Sequence, residues 1–297
     1  MLTQQLLNGL VVGSAYAVFA LGFTLLFGVN HVLNMAHGSV FMWGAFAGLY
    51  VVQAFDTSFA VALLVGMVAG GVLSVLLDFA AFRPLRRRQA ADFATILTSI
   101  GANLVLLAVA QKVSNTTVMR FPFEFFPIVM YEFMGLRIQL LQITIVFTGV
   151  LMVTALVYAL YRTGFGRRIR SVAFSGNTSR LLGINAELVN AEVFFVSGAL
   201  AGLAGVLIGV AFNSVHYLMG EPLLMQAFVI IILGGLGSIP GALLGGLLVG
   251  VVQSLAYAYI SSTAADAIAF AILFFIILIR PTGIFGQASA VMRVQRR

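Results

Sequence analysis

The sequence predicts an all-α fold: a polytopic integral membrane protein with eight clear transmembrane helices plus one short or broken segment. Hydrophobic residues make up 61% of its 297 positions and charged residues only 8%, and the mean hydropathy is +1.09. Because a soluble domain carries roughly 25% charged residues, the outer surface of this chain should be apolar as well. These figures argue against a soluble enzyme and predict a single transmembrane domain over residues 1–297.

The apolar runs place the predicted helices. A spanning helix needs about 20 mainly apolar residues, and eight runs are close to that length. They cover residues 5–28, 36–54, 58–79, 93–110, 138–161, 188–212, 241–260 and 264–279. A shorter run, 223–233, precedes a glycine-rich stretch at 234–241 that should break a helix. We expect this segment to be a ninth, thin crossing, with a re-entrant segment as the alternative.

The basic residues predict the orientation of the chain, because cytoplasmic loops are enriched in Lys and Arg. Three regions hold thirteen of the 16 basic residues. They are Arg83, Arg86, Arg87 and Arg88 after the third run, Arg162, Arg167, Arg168, Arg170 and Arg180 after the fifth, and Arg280, Arg293, Arg296 and Arg297 at or after the last. With nine crossings, the N-terminus lies outside and the C-terminus lies in the cytoplasm.

The other loops are assigned to the outer side. They combine three basic residues with more acidic ones: Lys112, Arg120, Arg137, Asp56, Glu124, Glu132, Glu221 and Asp266. The net charge of +7 therefore reflects the basic residues expected on the cytoplasmic side of the membrane. It does not indicate a nucleic-acid partner. The membrane lipid is the expected environment of this chain.

Several kinds of chemistry have no residues to support them. The chain has no cysteine, and its three histidines match no common metal-binding spacing. No glycine-rich phosphate loop precedes the only lysine, Lys112, so the chain has no P-loop ATPase site of its own. No pair of carboxylates suggests acid–base catalysis. We therefore predict that the chain is not an enzyme and binds no cofactor or metal.

Charged residues near the ends of the predicted helices are expected at the membrane surface. Glu192 should be an interfacial carboxylate near the second basic region. Asp78, which precedes Arg83 near the inner boundary, should snorkel or pair there.

Small residues recur every four positions in three of the runs. Examples are Gly9 and Gly13 in the first run and Gly205 and Gly209 in the sixth. Small residues allow close approach of helices in lipid, so this spacing predicts helix packing. A pathway lined by small residues is a second interpretation, and it is compatible with the first.

Two polar or irregular stretches could line a translocation pathway. Asn34 and His37 lie between the first two runs, where Asn34 could simply cap the second helix or where irregular backbone could line a cavity. The second stretch contains Gly234, Gly235, Gly237 and Ser238. It is either a tight turn or a broken helix that offers backbone amides to a carboxylate.

The second basic region predicts a docking element. Its candidate residues are Arg167, Arg168, Asn177, Thr178, Arg180, Leu181, Leu182 and Gly183. Asn177 or Thr178 could cap a short helix that Gly183 ends. Such a helix on the cytoplasmic face suits contact with another protein, and the alternative is a basic interfacial helix on anionic lipid.

Seven stretches in order resemble one family. They are NGL with GSAYA (8–17), LGFTLLFG (21–28), NMAHG (34–38), LLGIN (181–185), SGALAGLAG (197–205), the glycine-rich stretch 234–241, and RPTGIFG (280–286). Together they resemble the permease subunits of bacterial branched-chain amino-acid ABC importers of the LivH type. The resemblance covers residues 6–286.

The resemblance implies a function and a set of partners. Such a permease lies in the bacterial inner membrane and pairs with a LivM-type permease or with a second copy of itself. Two ATPase subunits, which use ATP and Mg²⁺, dock on the cytoplasmic face, and a periplasmic binding protein delivers substrate. Residues 175–185 would then be the coupling helix of an alternating-access importer. A gradient-driven transporter or channel, and a permease for urea or short amides, are the alternatives.

Overall fold

The computed structural model describes residues 1–88, 90–122, 125–133, 135–279 and 283–284. The described part contains twelve α-helices, one π-helical turn (Asp78–Phe82) and one two-stranded sheet. The helices are α1 (Leu2–Asn30), α2 (His37–Phe55), α3 (Phe59–Leu77), α4 (Arg83–Arg87), α5 (Asp92–Val113), α6 (Leu140–Arg162), α7 (Gly164–Phe174), α8 (Gly176–Leu181), α9 (Ala186–Ala211), α10 (Gly220–Gly234), α11 (Ile239–Tyr259) and α12 (Ser262–Ile279).

The predicted membrane fold is confirmed. Within the described residues, seven helices are long and apolar enough to cross a membrane, and they match the first seven predicted runs. The eighth run corresponds to α12, an apolar helix of 18 residues. The short predicted segment is α10, with 15 residues. The basic residues Arg280, Arg293, Arg296 and Arg297, and most of the 280–286 motif, lie outside the described residues, as does Glu124.

Two details of the predicted helices are wrong. The third helix does not end near residue 79, because a π-helical turn at Asp78–Phe82 joins α3 to α4 and gives one continuous helix, Phe59–Arg87. The fifth helix begins at Leu140, because residues before it form a hairpin. In that hairpin β1 (Met130–Phe133) pairs antiparallel with β2 (Leu136–Gln139). The capping box of Gln139 and Gln142 then starts α6.

Helix α9 is the centre of the bundle, and backbone contact at glycines holds its neighbours close. A Cβ placed on Gly202 would overlap the carbonyl group of Gly66 in α3, so only glycine fits there. A second such contact joins α1 to α11, where a Cβ on Gly13 would lie 2.9 Å from the carbonyl oxygen of Gly246. The predicted packing role of the small residues is confirmed.

Helices α2 and α10 both begin deep in the bundle. The His37 ring lies 4.7 Å from the Phe19 ring, and Phe19 is 11 residues before the end of α1, about 16 Å along the helix. Gly38 packs directly on Gly220, the first residue of α10, where a Cβ on Gly38 would lie 2.6 Å from the Gly220 carbonyl oxygen. The chain therefore has irregular backbone at the depth of these two helix starts.

Candidate functional site

The second basic region folds into two short helices at one end of the bundle. Helix α7 was missed by sequence reasoning, although Phe165, Ile169 and Val172 recur at helical spacing. Its first turn is capped by Thr163, whose hydroxyl oxygen accepts a hydrogen bond from the Gly166 amide at 3.4 Å. The helix is anchored to α9 by the ion pair between Arg168 and Glu192, 3.2 Å apart, so Glu192 lies beside the second basic region, as expected.

Helix α8 has a different cap from the predicted one. Ser175, not Asn177 or Thr178, precedes the helix, and its hydroxyl oxygen accepts a hydrogen bond from the Thr178 amide at 3.2 Å. Asn177 and Thr178 lie inside the first turn. Gly183 follows the helix with φ +79°, as predicted for a helix-ending glycine. The helix is therefore fixed at both ends.

The tip formed by α7 and α8 is apolar and exposed. Phe174 and Leu181 are each 88% exposed, and Leu182 is 74% exposed. A cavity of about 490 Å³ opens between the two helices. Its lining is Arg167, Arg170, Ser171, Phe174, Ser175, Thr178, Ser179 and Leu182. Arg180 lies exposed in the last turn of α8. An exposed apolar tip with a basic rim is typical of a protein contact surface.

Ion pairs join the start of α9 to the α4 end of the α3–α4 helix. Glu187, two residues after the α9 cap Asn185, binds both Arg83 and Arg87. Asp78, which is 1% exposed, pairs with Arg86 at 2.6 Å. The start of α9 is therefore tied to the α3–α4 helix.

Asn34 and His37 are buried where α2 begins. Asn34 is not the N-cap, since Ala36 occupies that position. Its side-chain oxygen accepts a hydrogen bond from the Ala36 amide at 3.0 Å, and its backbone carbonyl accepts one from the His37 amide at 3.2 Å. The His37 ring is fully buried against Phe19 and Phe23. Their role in a pathway stays a prediction.

The predicted break at 234–241 is confirmed as a turn between α10 and α11. Gly235 and Gly237 have φ values of +99° and +80°, which favour glycine. Ser238 caps α11, since its hydroxyl oxygen accepts a hydrogen bond from the Gly241 amide at 3.2 Å. Gly234 packs on the backbone of Gly241. The break thus lies at the end of α10, whereas Gly38 packs on Gly220 at its start.

A polar line on α5 was missed by sequence reasoning. Thr95, Ser99 and Asn103 recur at four-residue spacing on one face of the helix, a signal that could have been used. The Ser99 hydroxyl accepts a hydrogen bond from the Met35 amide at 3.1 Å. The Ser39 hydroxyl donates to the side-chain oxygen of Asn103 at 2.6 Å. This line therefore ties α5 to the beginning of α2.

The sequence predicted that Glu221 lies in an outer loop, and this prediction is wrong. It lies in the first turn of α10, beside the Gly220–Gly38 contact. Glu221 and Tyr217 line one small cleft together with Ser39 and Asn103. A carboxylate at this depth is an unusual feature for a membrane protein.

Comparison with known proteins identifies the family of this chain. The family model described as "Branched-chain amino acid transport system / permease component" matches residues 5–278. The chain is 31% identical to the high-affinity branched-chain amino acid transport system permease protein LivH of Salmonella typhimurium, over 96% of this chain and 95% of that protein. It is 30% identical to LivH of Escherichia coli, with the same coverage.

A third relative comes from another organism. The chain is 31% identical to the permease protein BraD of Pseudomonas aeruginosa, described with the same high-affinity branched-chain amino acid transport system, over 96% of this chain and 95% of that protein. The match extends over nearly every described helix, including the α7–α8 tip and the turn after α10. The chain therefore belongs to the family of permease components of branched-chain amino acid transport systems.

Proposed function

We propose that this chain is a permease subunit of an ATP-driven ABC importer that moves branched-chain or related amino acids into the cytoplasm. The names of its relatives support the transport class and the substrate. The observation that carries the proposal is the capped, exposed and apolar α7–α8 tip, which offers a contact surface for an energy-supplying partner. The sequence contains no phosphate-binding loop, so ATP and Mg²⁺ would be used by separate ATPase subunits.

The coupling step would start at α8. Two ATPase subunits dock on the cytoplasmic face of the permease pair, and Leu181 and Leu182 insert into the ATPase next to them. When ATP closes the ATPase dimer, α8 is displaced, and the short connection through Asn185 passes the displacement to α9. Glu187 transmits the same movement to Arg83 and Arg87. Alternating access follows if the ATP-bound partner prefers the outward-open state of the permease.

A second permease subunit would complete the transport unit. Only 17% of the most apolar stretch of α5 is buried within this chain, so this helix presents a face for a LivM-type permease or a second copy of the same chain. A periplasmic binding protein would dock on the opposite side, near the β1–β2 hairpin. In this arrangement the N-terminus is periplasmic, the C-terminus is cytoplasmic, and the chain lies in the bacterial inner membrane.

The translocation pathway would pass along α10. Gly38, the residue after His37, packs on Gly220 at its start, and Gly235, Gly237 and Ser238 follow its last residue, Gly234. Irregular backbone at both places can change conformation without breaking a long helix. The pathway would open when α10 moves relative to α1 and α2.

The docking step can be tested with Leu182→Asp. Leu182 is largely exposed, so the change should leave the permease folded but place a charge in the apolar ATPase contact. We expect the affinity for the ATPase subunits to fall about tenfold or more, as for loss of an interface anchor, measured by co-purification and ATP-driven uptake in proteoliposomes.

The matched control is Ile128→Asp, an equally drastic change at a residue that is 69% exposed near the hairpin. This variant should bind the ATPase subunits normally. If Leu182→Asp bound the ATPase as well as the unmodified chain, α8 would not be the docking element. Uptake that needs an ion gradient and persists without any ATPase would overturn the proposed function.

A further inference from the structure

We propose that Glu221 and Asn103 form a site at mid-membrane depth for the zwitterionic head group of an amino acid. In this site the Glu221 carboxylate binds the substrate ammonium group, and the Asn103 amide donates to the substrate carboxylate. The inference rests on the proposed import function and names the part of the permease that contacts substrate. It is carried by four observations: depth, an unpartnered carboxylate, a fixed amide orientation, and the place of both residues in the lining of one cleft.

The depth of the site follows from helix positions. Asn103 lies 11 residues after the start of α5 at Asp92 and 10 before its end at Val113, about 16 Å and about 15 Å along the helix. It is bonded to Ser39 at 2.6 Å, and the next residue back, Gly38, touches the backbone of Gly220. Glu221 is therefore at the level of the middle of α5.

The Glu221 carboxylate has no hydrogen bond or ion pair with any described residue. It is exposed at the surface of the chain. A carboxylate at this depth is costly in lipid, and such residues usually face a water-filled cavity or a partner. The carboxylate therefore lies on a face that lipid cannot cover without a large cost.

The orientation of the Asn103 amide is set by Ser39. The Ser39 hydroxyl donates to Oδ1 of Asn103, and this leaves the NH₂ group of Asn103 to donate elsewhere. Among the described residues we find no acceptor for it. A free N–H donor and a free carboxylate on one cleft match the two charges of an amino-acid zwitterion, which requires one acceptor and one donor.

The surroundings suit an apolar side chain. Met42, Leu107 and Leu224 line the cleft beside the polar pair, and Met225 is exposed one turn after Glu221. The cleft itself encloses only about 10 Å³, room for one water at most. An amino acid would therefore rest against the open side of the cleft, and the facing permease subunit would supply the other wall.

The test uses the complete complex of two permeases, two ATPases and the binding protein in proteoliposomes. For Glu221→Gln we expect uptake per ATP hydrolysed to fall about tenfold, the effect of losing one charge-assisted hydrogen bond, with ATPase turnover retained. Glu221→Asp should restore part of the uptake. Asp56→Asn is the matched control, because Asp56 is an exposed carboxylate at the end of α2 and lies outside the proposed site, and it should leave the ratio unchanged.

A second variant keeps the test decisive if Glu221→Gln does not assemble. Asn103→Asp replaces the donor by a carboxylate that repels the substrate carboxylate, so uptake per ATP should fall by a similar factor. Wild-type uptake ratios in either variant would overturn the site while leaving the import function intact. If the unmodified complex shows no ATP-driven uptake, the proposed function fails instead, and the two failures are thereby distinguished.

Discussion

Helices α9 and α5 are nearly equal in hydropathy and opposite in burial. Their most apolar stretches have mean hydropathies of 2.3 and 2.0, yet 83% of the first is buried and 17% of the second. The difference lies in the small residues: α9 meets α3 and α2 at Gly198, Gly202 and Gly205, whereas Gly101 of α5 has no atom within 4 Å of an added Cβ. Apolarity places a helix in the membrane, and small residues decide whether it becomes core.

The largest expected effect comes from adding bulk to the core. Gly202→Leu would drive a side chain into the carbonyl of Gly66, so we expect a loss of about 3 kcal/mol of stability, the upper end for overpacking. Thermal unfolding of the purified permease in detergent measures it. Gly101→Leu is the matched change in α5 and should be neutral. A comparable loss in both variants would show that α5 is also packed in the folded chain.

A smaller effect should come from the ion pair of Asp78 and Arg86 at the edge of the core. Asp78→Asn removes the partner of Arg86, whose guanidinium carbon lies 5.9 Å from the centre of the Phe194 ring in α9. Breaking a fully buried pair costs about 3–5 kcal/mol, and we expect about 2 kcal/mol because Arg86 is 28% exposed and can reach water.

The peripheral counterpart is the exposed pair of Glu132 and Arg137. Glu132→Gln should cost about 0–1 kcal/mol, as surface ion pairs do. Unfolding curves of the two variants recorded side by side give the contrast. If Glu132→Gln in the hairpin lost more stability than Asp78→Asn, our ranking of the two regions would be wrong.

The smallest expected effect is the loss of one interhelical hydrogen bond. The Ser197 hydroxyl in α9 donates to the Gly22 carbonyl in α1 at 2.8 Å, and such bonds within membrane proteins contribute about 0.6 kcal/mol on average. Ser197→Ala should lower the unfolding midpoint slightly. Thr98→Ala on α5 removes only a bond to its own helix and should have no measurable cost. Equal midpoints for the two variants would indicate that the Ser197 bond adds nothing to the core.

Hydropathy was sufficient to predict the spanning helices, because a lipid-exposed helix must satisfy its backbone internally and stay apolar over its length. Helix caps and ion-pair partners were harder to predict. Ser175, Asn177 and Thr178 are all good caps, so the sequence could not select Ser175. The π-turn at Asp78–Phe82 changes the phase of the helix, and for that reason the partner of Asp78 is Arg86.

The deep polar residues were hardest to predict. Ser39 and Asn103 are 64 residues apart, and their contact depends on how α2 and α5 are placed side by side. Glu221 was assigned to a loop because the apolar run begins after it. In the structure α10 begins at Gly220, one residue before Glu221. Periodic patterns report which face of a helix is buried, but not at what depth a neighbouring helix begins.

Because of the length of α1, this permease should be sensitive to the thickness of the bilayer. Its 29 residues extend about 43 Å, against about 30 Å of hydrocarbon. The excess at its first turns carries Gln4 and Asn8, which hydrogen-bond to Arg137 and Gln142 beside the hairpin. A bilayer of longer acyl chains would bring hydrocarbon against these amides and add a mismatch cost. Lipid composition would thus act on the hairpin side of the molecule through the position of one helix.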